Sequence, residues 1–369
     1  MKKVLILCLH RPNRTPSQRF RFEQYLGYLE NNGYSFDFSY LLDEKQDKAF
    51  YQPGNYFKKL QIILSSTAKR VNNLLQAKKY DLVFVSRQGY MLGTAFFERA
   101  IAGKIPMIFD LDDSIWMNQI SEGSQKVVSG NQKLSFLKNP AKTSQLIKMS
   151  KLVFAGNEYL AEYSSRFNQN VVIVPTTIDT GSYIRKYQNK KENDPVCIGW
   201  SGSFSTIEMF KFSIPALLKI KNKYGSKVDF RVIGDGNYYC EELGIQGLPW
   251  KAATEIEDLS AIDIGIMPLP NNDWTRGKCG LKGLQYMALK IPSLMSPVGV
   301  NTTIIKDGVN GFLPGTEDEW VKQISALVES SELRTRIGEA GRETVVKEYS
   351  VDIWKHKYLE YFNAISNKV

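Results

Sequence analysis

Three cations, Arg276, Lys278 and Lys282, surround the start of an apolar helical stretch in DWTRGKCGLKGLQYMA, which runs from Asp273 to Ala288. Leu281, Leu284, Met287 and Ala288 recur at helical spacing, so one face belongs to a core and Lys282 falls in the first turn. A helix start already carries partial positive charge, and each added cation is unfavourable there by about 0.3–1 kcal/mol. A diphosphate at that point turns all three into charge-assisted partners, and after Asp273 no acid intervenes until Asp307. A second anion-binding pattern is GWSGSFST, Gly199 to Thr206. Gly202 lets a backbone come close to a ligand, and Ser203, Ser205 and Thr206 offer hydroxyls and N–H groups where a strand turns into a helix. The same residue types also make a plain helix cap.

Carboxylates cluster in the other half of the chain. FDLDDSIW, Phe109 to Trp116, ends a strand with Asp110, Asp112 and Asp113, which there can orient sugar hydroxyls, hold a cation or move protons. Asp110 and Asp112 also fit the loose D-x-D pattern of metal-dependent sugar transferases. In those enzymes the carboxylates serve a nucleotide site, which here falls in the other half, so an orienting role is preferred. For Asp113 a helix cap is the alternative. HRPNRTPSQRFRFEQYL, His10 to Leu26, concentrates Arg11, Arg14, Arg19 and Arg21 after the first strand, where an anionic acceptor would meet them. GDGNYY, Gly234 to Tyr239, has two glycines of a dinucleotide fingerprint but tyrosine at the third position, and no P-loop occurs. Dehydrogenase and P-loop NTPase readings fall away.

These residues need a scaffold, and the hydrophobic pattern supplies one. Short runs rich in β-branched and aromatic residues predict strands at Val4–Leu9, Tyr34–Tyr40, Asp81–Ser86, Pro106–Asp112, Lys151–Gly156 and Val171–Thr176. Beyond the charged, proline-ended linker RKYQNKKENDP, Arg185 to Pro195, the pattern restarts at Val196–Gly202, Asp229–Gly234, Asp263–Leu269 and Ile291–Ser296. Helices are predicted at Glu317–Ser330, Glu332–Glu348 and Asp352–Asn363. Strands apolar on both faces in β-α-β order imply parallel sheets covered by helices on each side. A chain of 369 residues is too long for one ordinary core and suits two such domains. Ligands of doubly wound sheets bind at the carboxyl ends of strands, so the function is expected in a cleft between the halves.

Composition narrows the partners. Residues 1–190 hold 27 Lys and Arg against 15 Asp and Glu, whereas residues 191–369 hold 21 against 23. The basic half suggests an anionic partner: nucleic acid, an acidic membrane surface or a phosphate-bearing acceptor. Phe57 to Lys79 is basic and amphipathic, with Leu60, Ile63, Leu64, Val71, Leu74 and Leu75 on its apolar side. Most such helices cover a sheet; a membrane surface is the other reading. The apolar run in MKKVLILCLHRPNR is six residues and closes at His10, so it reads as a buried strand rather than a secretory signal. Cys8, Cys197, Cys240 and Cys279 are scattered, with no C-x-x-C pair, which favours a reduced protein without structural zinc. Cys8 and Cys197 fall within strands as small core residues.

TPSQRFRFEQYLGYLE, IFDLDDSIW, IGWSGSFST, GKCGLKGLQYMALKIPSLMSPVG and VNTTIIKDGVNGFL together resemble bacterial members of glycosyltransferase family 4, over nearly the whole chain. These are retaining, nucleotide-sugar-dependent enzymes of GT-B fold. The resemblance implies an α/β architecture of two Rossmann-like, doubly wound parallel-sheet domains facing across a cleft. Residues 1–188 would bind the acceptor, residues 189–350 the nucleotide sugar, and residues 351–369 would form a helix packing back on the first domain. Gly202, Ser203, Ser205, Thr206 and Gly234 would line the donor site, with Arg276, Lys278 and Lys282 as cationic partners and Gln285 at the ribose. Asp112 and Asp113 would belong to the active site; Arg14 and Arg19 are the acceptor-binding candidates. No cofactor and no metal are expected.

The chain also departs from the family pattern. Many members carry two glutamates with seven residues between them; Gly277 stands at the first, sugar-contacting position and Gln285 at the second, ribose-binding one. Asp112 stands where a histidine is common, and a carboxylate cannot imitate neutral imidazole. The expected activity is transfer of a sugar from a nucleoside-diphosphate sugar to a lipid-linked or polysaccharide acceptor, in the cytoplasm or on the cytoplasmic face of the inner membrane. A nucleotide-sugar epimerase or hydrolase of the same fold is the alternative. A nucleic-acid-binding protein ranks last, because the interleaved aromatic and basic motif of an RNA-binding sheet is absent.

Overall fold

Every residue from Val4 to Cys8 is buried in the first strand, β1 (Lys2–His10), as a strand covered on both faces requires. The computed structural model describes residues 1–52, 54–117, 139–186, 194–203 and 206–366. Around β1 stand β2 (Tyr34–Leu42), β3 (Leu82–Ser86), β4 (Met107–Leu111), β5 (Leu152–Ala155) and β6 (Val171–Ile173). They form a six-stranded sheet, all parallel, in the order β2-β1-β3-β4-β5-β6. Its core is built from Leu5, Leu7, Val83, Val85, Phe109, Leu111 and Val153. The order reverses between β1 and β3, and the carboxyl ends of those strands are where an open α/β sheet takes its ligands.

The second sheet repeats this plan. β7 (Val196–Ser201), β8 (Val228–Gly234), β11 (Leu248–Pro249), β12 (Ile264–Met267) and β13 (Ser293–Met295) pair in parallel as β11-β8-β7-β12-β13. The reversal lies between β7 and β12. Trp200, Phe210, Val232, Ile264, Ile266 and Trp320 lie in the core of this sheet. Between β8 and β11 a small antiparallel pair, β9 (Tyr239–Cys240) and β10 (Ile245–Gln246), was not expected from sequence, because two-residue strands carry no periodic signal. Helix Glu317–Glu329 begins with a capping box of Thr316 and Glu319, a start the sequence signals directly.

The chain divides into two compact units. Unit 1 comprises Met1–Thr176, Gly277–Cys279 and Trp354–Val369; unit 2 comprises Thr177–Arg276 and Gly280–Ile353. The passage into unit 2 therefore falls at Thr177 rather than near residue 188. Ile178 bridges to Ser350, and Arg185 donates to the Ile262 carbonyl at 2.9 Å, so this stretch belongs to the second core. From Trp354 the last helix, Val351–Ser366, belongs to unit 1. Tyr358 stacks on Tyr25 with centroids 3.9 Å apart, and Tyr34 Oη donates to Asn363 Oδ1.

Helix Tyr56–Gln76 is turned opposite to the sheet-covering reading of its apolar side. Lys59, Ile62, Ser66 and Arg70 are buried, whereas Leu60, Leu64, Val71 and Leu75 are exposed. All four cysteines are free; Cys8 and Cys197 are buried in β1 and β7, as small apolar residues of the cores.

Candidate functional site

In unit 2 the chemistry gathers at the carboxyl ends of β7 and β8. Gly202 N–H donates to the Ile233 carbonyl at 2.9 Å, and Gly234 has φ +137°, a conformation that side chains rarely adopt. A Cβ on Gly234 would run into the Gly202 carbonyl, and one on Gly202 into the Trp200 indole. The two glycines thus let two strand ends pass in contact. Ser203 and Thr206 close a local turn, with Ser203 N–H donating to Thr206 Oγ1 at 3.0 Å. Their hydroxyls lie 3.3 Å apart, and Thr206 precedes a short helical segment, Ile207–Ser213, without a side-chain cap bond. Ser205 lies outside the described residues.

Helix Leu281–Ala288 follows with no acid in its first turn, and the left-handed Gly280 sets its entry. Lys282 stands in that turn with its ammonium 5.4 Å from the centre of the Trp200 ring, so Lys282 and Gly202 share one neighbour. Tyr286 of the same helix accepts from Ser201 N–H at 2.8 Å and ties the helix to β7. Arg276, at the end of helix Asp273–Arg276, donates to Asn271 Oδ1 and pairs with Asp273 at 3.3 Å.

Gln285, one turn beyond Lys282, is buried and donates to Tyr183 Oη at 2.9 Å. Tyr183 in turn donates to Glu255 at 2.7 Å, and Trp250 Nε1 donates to the other oxygen of that carboxylate at 2.8 Å. This network joins residues far apart in sequence and was not readable beforehand. A cavity of about 330 Å³ lined by Arg185, Asp263, Lys290, Arg334 and Arg342 opens before β12 and β13, at the opposite end of the sheet from the glycines.

In unit 1 the carboxyl ends of the strands are crowded with paired charge. Asp110, read from sequence with Asp112 and Asp113 as a strand-end carboxylate able to orient sugar hydroxyls, is wholly buried, and Arg21 clasps it with bonds of 2.6 and 3.2 Å. Burial pushes the Asp110 carboxyl up while Arg21 pulls it down. This pair is structural, and it removes both residues from the candidate ligand contacts. Asp112 and Asp113 remain at the end of β4. Arg87 reaches Asp112 at 3.6 Å and Asp113 at 3.8 Å, from a residue with φ +61° at the end of β3. A left-handed non-glycine residue costs about 1–3 kcal/mol and is typical of functional edges. Asp112 Oδ1 is buried without a hydrogen-bond partner among the described residues.

Lys278, expected among the diphosphate cations, instead puts its ammonium 2.8 Å from Asp113. Its neighbours are held in unit 1 as well: Asn157 donates to the Lys278 carbonyl at 2.9 Å, and the Cys279 thiol donates to the Asp112 carbonyl. Any Cβ at Gly277 would collide with the Ser114 hydroxyl, so no glutamate fits there in this arrangement. Arg14 pairs with Asp47 at 2.5 Å and Arg11 with the same carboxylate at 3.3 Å. Arg19 lies over the Phe20 ring. His10, at the end of β1, sits 3.6 Å from Asp47, and Tyr51 Oη is 3.2 Å from its other nitrogen. Burial, with Arg14, Arg87 and Arg11 nearby, outweighs Asp47 and pushes the His10 pKa down to about 4. His10, Asp47, Tyr51 and Arg87 carried no sequence signal beyond their positions at or near strand ends.

Residues 195–330 match the family model described as glycosyl transferases group 1. The whole chain has the fold of solved GT-B glycosyltransferases. An Anabaena protein, Alr3699/HepE, solved with UDP and glucose, is 13% identical at a TM-score of 0.68, covering 99% of this chain and 100% of that one. A glycosyltransferase from Rickettsia africae is 13% identical at 0.68, covering 100% and 99%. The lipopolysaccharide outer core galactosyltransferase WaaB in its apo form is 13% identical at 0.61, covering 100% of both. A search of curated proteins finds no sequence match. The second unit thus carries a domain matching the glycosyl transferases group 1 model, and the whole chain shares the GT-B fold of these solved structures.

Proposed function

We propose that unit 2 binds a nucleoside-diphosphate sugar and that the sugar passes, with retention, to an anionic lipid-linked or polysaccharide acceptor bound by unit 1, as in cell-surface glycan synthesis of the family 4 type. One observation carries the reading: Lys282 stands in the acid-free first turn of helix Leu281–Ala288 and shares the Trp200 indole with the close-packed Gly202. In this reading Gly202, Ser203, Ser205, Thr206 and Gly234 cradle the diphosphate, and Lys282 and Arg276 stabilise the charge that develops as it departs. Lys278, engaged by Asp113, is released from that role. Gln285 holds Tyr183 and Glu255 in place beside the nucleoside. Asp112, whose Oδ1 accepts no hydrogen bond and lies 3.6 Å from Arg87, orients an acceptor hydroxyl; Asp113 fixes it through Arg87 and Lys278. Arg14 and Arg19 meet the acceptor's negative charge.

The reading needs no bound metal, so EDTA is expected to leave turnover unchanged. The solved UDP and UDP-glucose complexes of the Anabaena protein support starting the donor panel with uridine nucleotides. In a thermal-shift panel of nucleoside diphosphates and their sugars, at least one is expected to stabilise the wild type and to lose that effect in Lys282→Ala. Indifference of the wild-type protein to the whole panel overturns the proposal.

A further inference from the structure

Helix Tyr56–Gln76 is inside out by the ordinary rule for a surface helix. Its buried face is Lys59, Ile62, Ser66 and Arg70, and its solvent face is Phe57, Leu60, Leu64, Val71 and Leu75. Phe57 is 72% exposed, Leu64 61% and Leu75 74%. Successive members of that stripe lie three, four, seven and four residues apart, so they fall on one side of the helix, opposite the buried residues. Phe96, on the helix Phe96–Ala102 that packs beside it, is exposed too.

Arg70 fixes this rotation. Its guanidinium is fully buried and donates to the carbonyls of Gly89, Cys8 and Ser39, to Ser39 Oγ and to Asn73 Oδ1. Turning the helix to bury its leucines would strip a buried cation of every partner, which costs more than the leucines would gain. The apolar stripe is therefore held facing outward. From Phe57 to Leu75 it runs about 27 Å at 1.5 Å per residue, long enough to lie flat along an interface. Among the described residues no helix is long and apolar enough to cross a membrane.

Charge selects the occupant. From Asp47 to Asp81 the chain contains no acid, while Lys58, Lys69, Lys78 and Lys79 are exposed on or just after the helix. Lys69 donates to the Tyr40 carbonyl at 3.2 Å. A second copy of this chain would set these lysines against their own kind. An anionic lipid surface offers acyl chains for the stripe and phosphates for the ring of lysines. We propose that helix Tyr56–Gln76 is a docking face for an anionic lipid bilayer, lying in the interface with Phe57, Leu60, Leu64, Val71 and Leu75 among the acyl chains. The inference goes beyond the transfer reading and does not depend on it.

The test is flotation of the full chain with phosphatidylcholine vesicles, with and without about one-third phosphatidylglycerol. The wild type is expected to float with the anionic vesicles and to remain largely in solution with the neutral ones. The triple variant L60Q/L64Q/L75Q, whose sites are exposed and whose fold is checked by circular dichroism, is expected to lose about tenfold or more in partitioning. The double variant K58E/K79E is expected to lose binding that raised salt also weakens. Nucleotide-induced thermal shifts should be unaltered in both, which separates this proposal from the donor site. Failure of the wild type to float with anionic vesicles overturns it, as does a triple variant that floats like the wild type. A concentration-dependent dimer in sedimentation that the triple variant abolishes would give the face to a second copy and overturn it equally.

Discussion

The carboxyl edges of the two sheets solve different electrostatic problems. In unit 1, Arg21 is answered by Asp110, Arg11 and Arg14 by Asp47, Arg87 by Asp112 and Asp113, and Lys278 by Asp113. In unit 2 the corresponding edge carries two glycines, a hydroxyl turn and Lys282 over an indole, with no acid in the helix turn that Lys282 occupies. An edge with its charges already matched is fixed in shape and can orient a polar molecule without a large field. An edge of close-packed glycines and hydroxyls beside a helix start with no acid in its first turn is suited to receive charge from outside. On the proposed reading, the excess of basic residues in the first half of the chain does not mark the diphosphate site.

Breaking the buried pair of unit 1 should have the largest effect. Asp110→Ala leaves Arg21 as an uncompensated buried charge and is expected to lower stability by about 3–5 kcal/mol, read by calorimetry, while any nucleotide-induced shift persists. A loss below about 1 kcal/mol would mean that the pair contributes little to the fold of unit 1.

Next comes the contrast between two lysines four residues apart. Lys282→Ala is expected to weaken nucleoside-diphosphate binding by about 1.5–3 kcal/mol, roughly 10- to 100-fold by titration calorimetry, because a charge-assisted contact is removed. Lys278→Ala should change that affinity little and reduce turnover instead, through Asp113. Equal losses of affinity in both variants would dissolve the distinction between the edges.

The third effect is a pH dependence confined to unit 1. The His10 pKa lies near 4 in the folded chain, below its ordinary value of 6.5. Between those values the unfolded chain binds a proton that the folded chain does not, so stability is flat above about pH 6.5 and falls as pH drops toward 4. His10→Gln should flatten that part of the Tm profile, and an unchanged profile would assign the slope to other groups.

The smallest stability effect is expected at Arg14, whose own side chain is more than one-third exposed and screened by water. Arg14→Ala should change stability by less than about 1 kcal/mol, yet raise KM for an anionic acceptor while leaving that for the donor unchanged.

Much of the scaffold could be read from the chain because parallel strands buried on both faces announce themselves as short apolar runs. Each of the ten expected strands is present, with ends shifted by a few residues at most. For helix Tyr56–Gln76 the two sequence readings, covering the sheet or facing outward, could not be separated, because periodicity reports that an apolar stripe exists and not what competes with it for the interior. Arg70, with its five hydrogen-bonding donors, won that competition. At the candidate donor site the glycines, hydroxyls and Lys282 were legible as types at strand and helix ends. Glu255 was not: its partners Tyr183, Trp250 and Gln285 converge only in the folded unit. Gly277 showed as a departure from the family pattern, and its reason, the Ser114 hydroxyl against it, exists only in three dimensions. The pairing of Lys278 with Asp113 was invisible for the same reason, 165 residues apart in the chain.

Unit 1 takes its last helix from the end of the chain, and this sets an order on biosynthesis. Tyr25, Tyr34 and Phe84 are covered by Tyr358 and Phe362. The Tyr358 hydroxyl also donates to the Arg21 carbonyl. While a ribosome is still making unit 2, that aromatic face of the first unit stands uncovered and open to chaperones or to a neighbouring nascent chain. The first unit to be synthesised is thus the last to be completed.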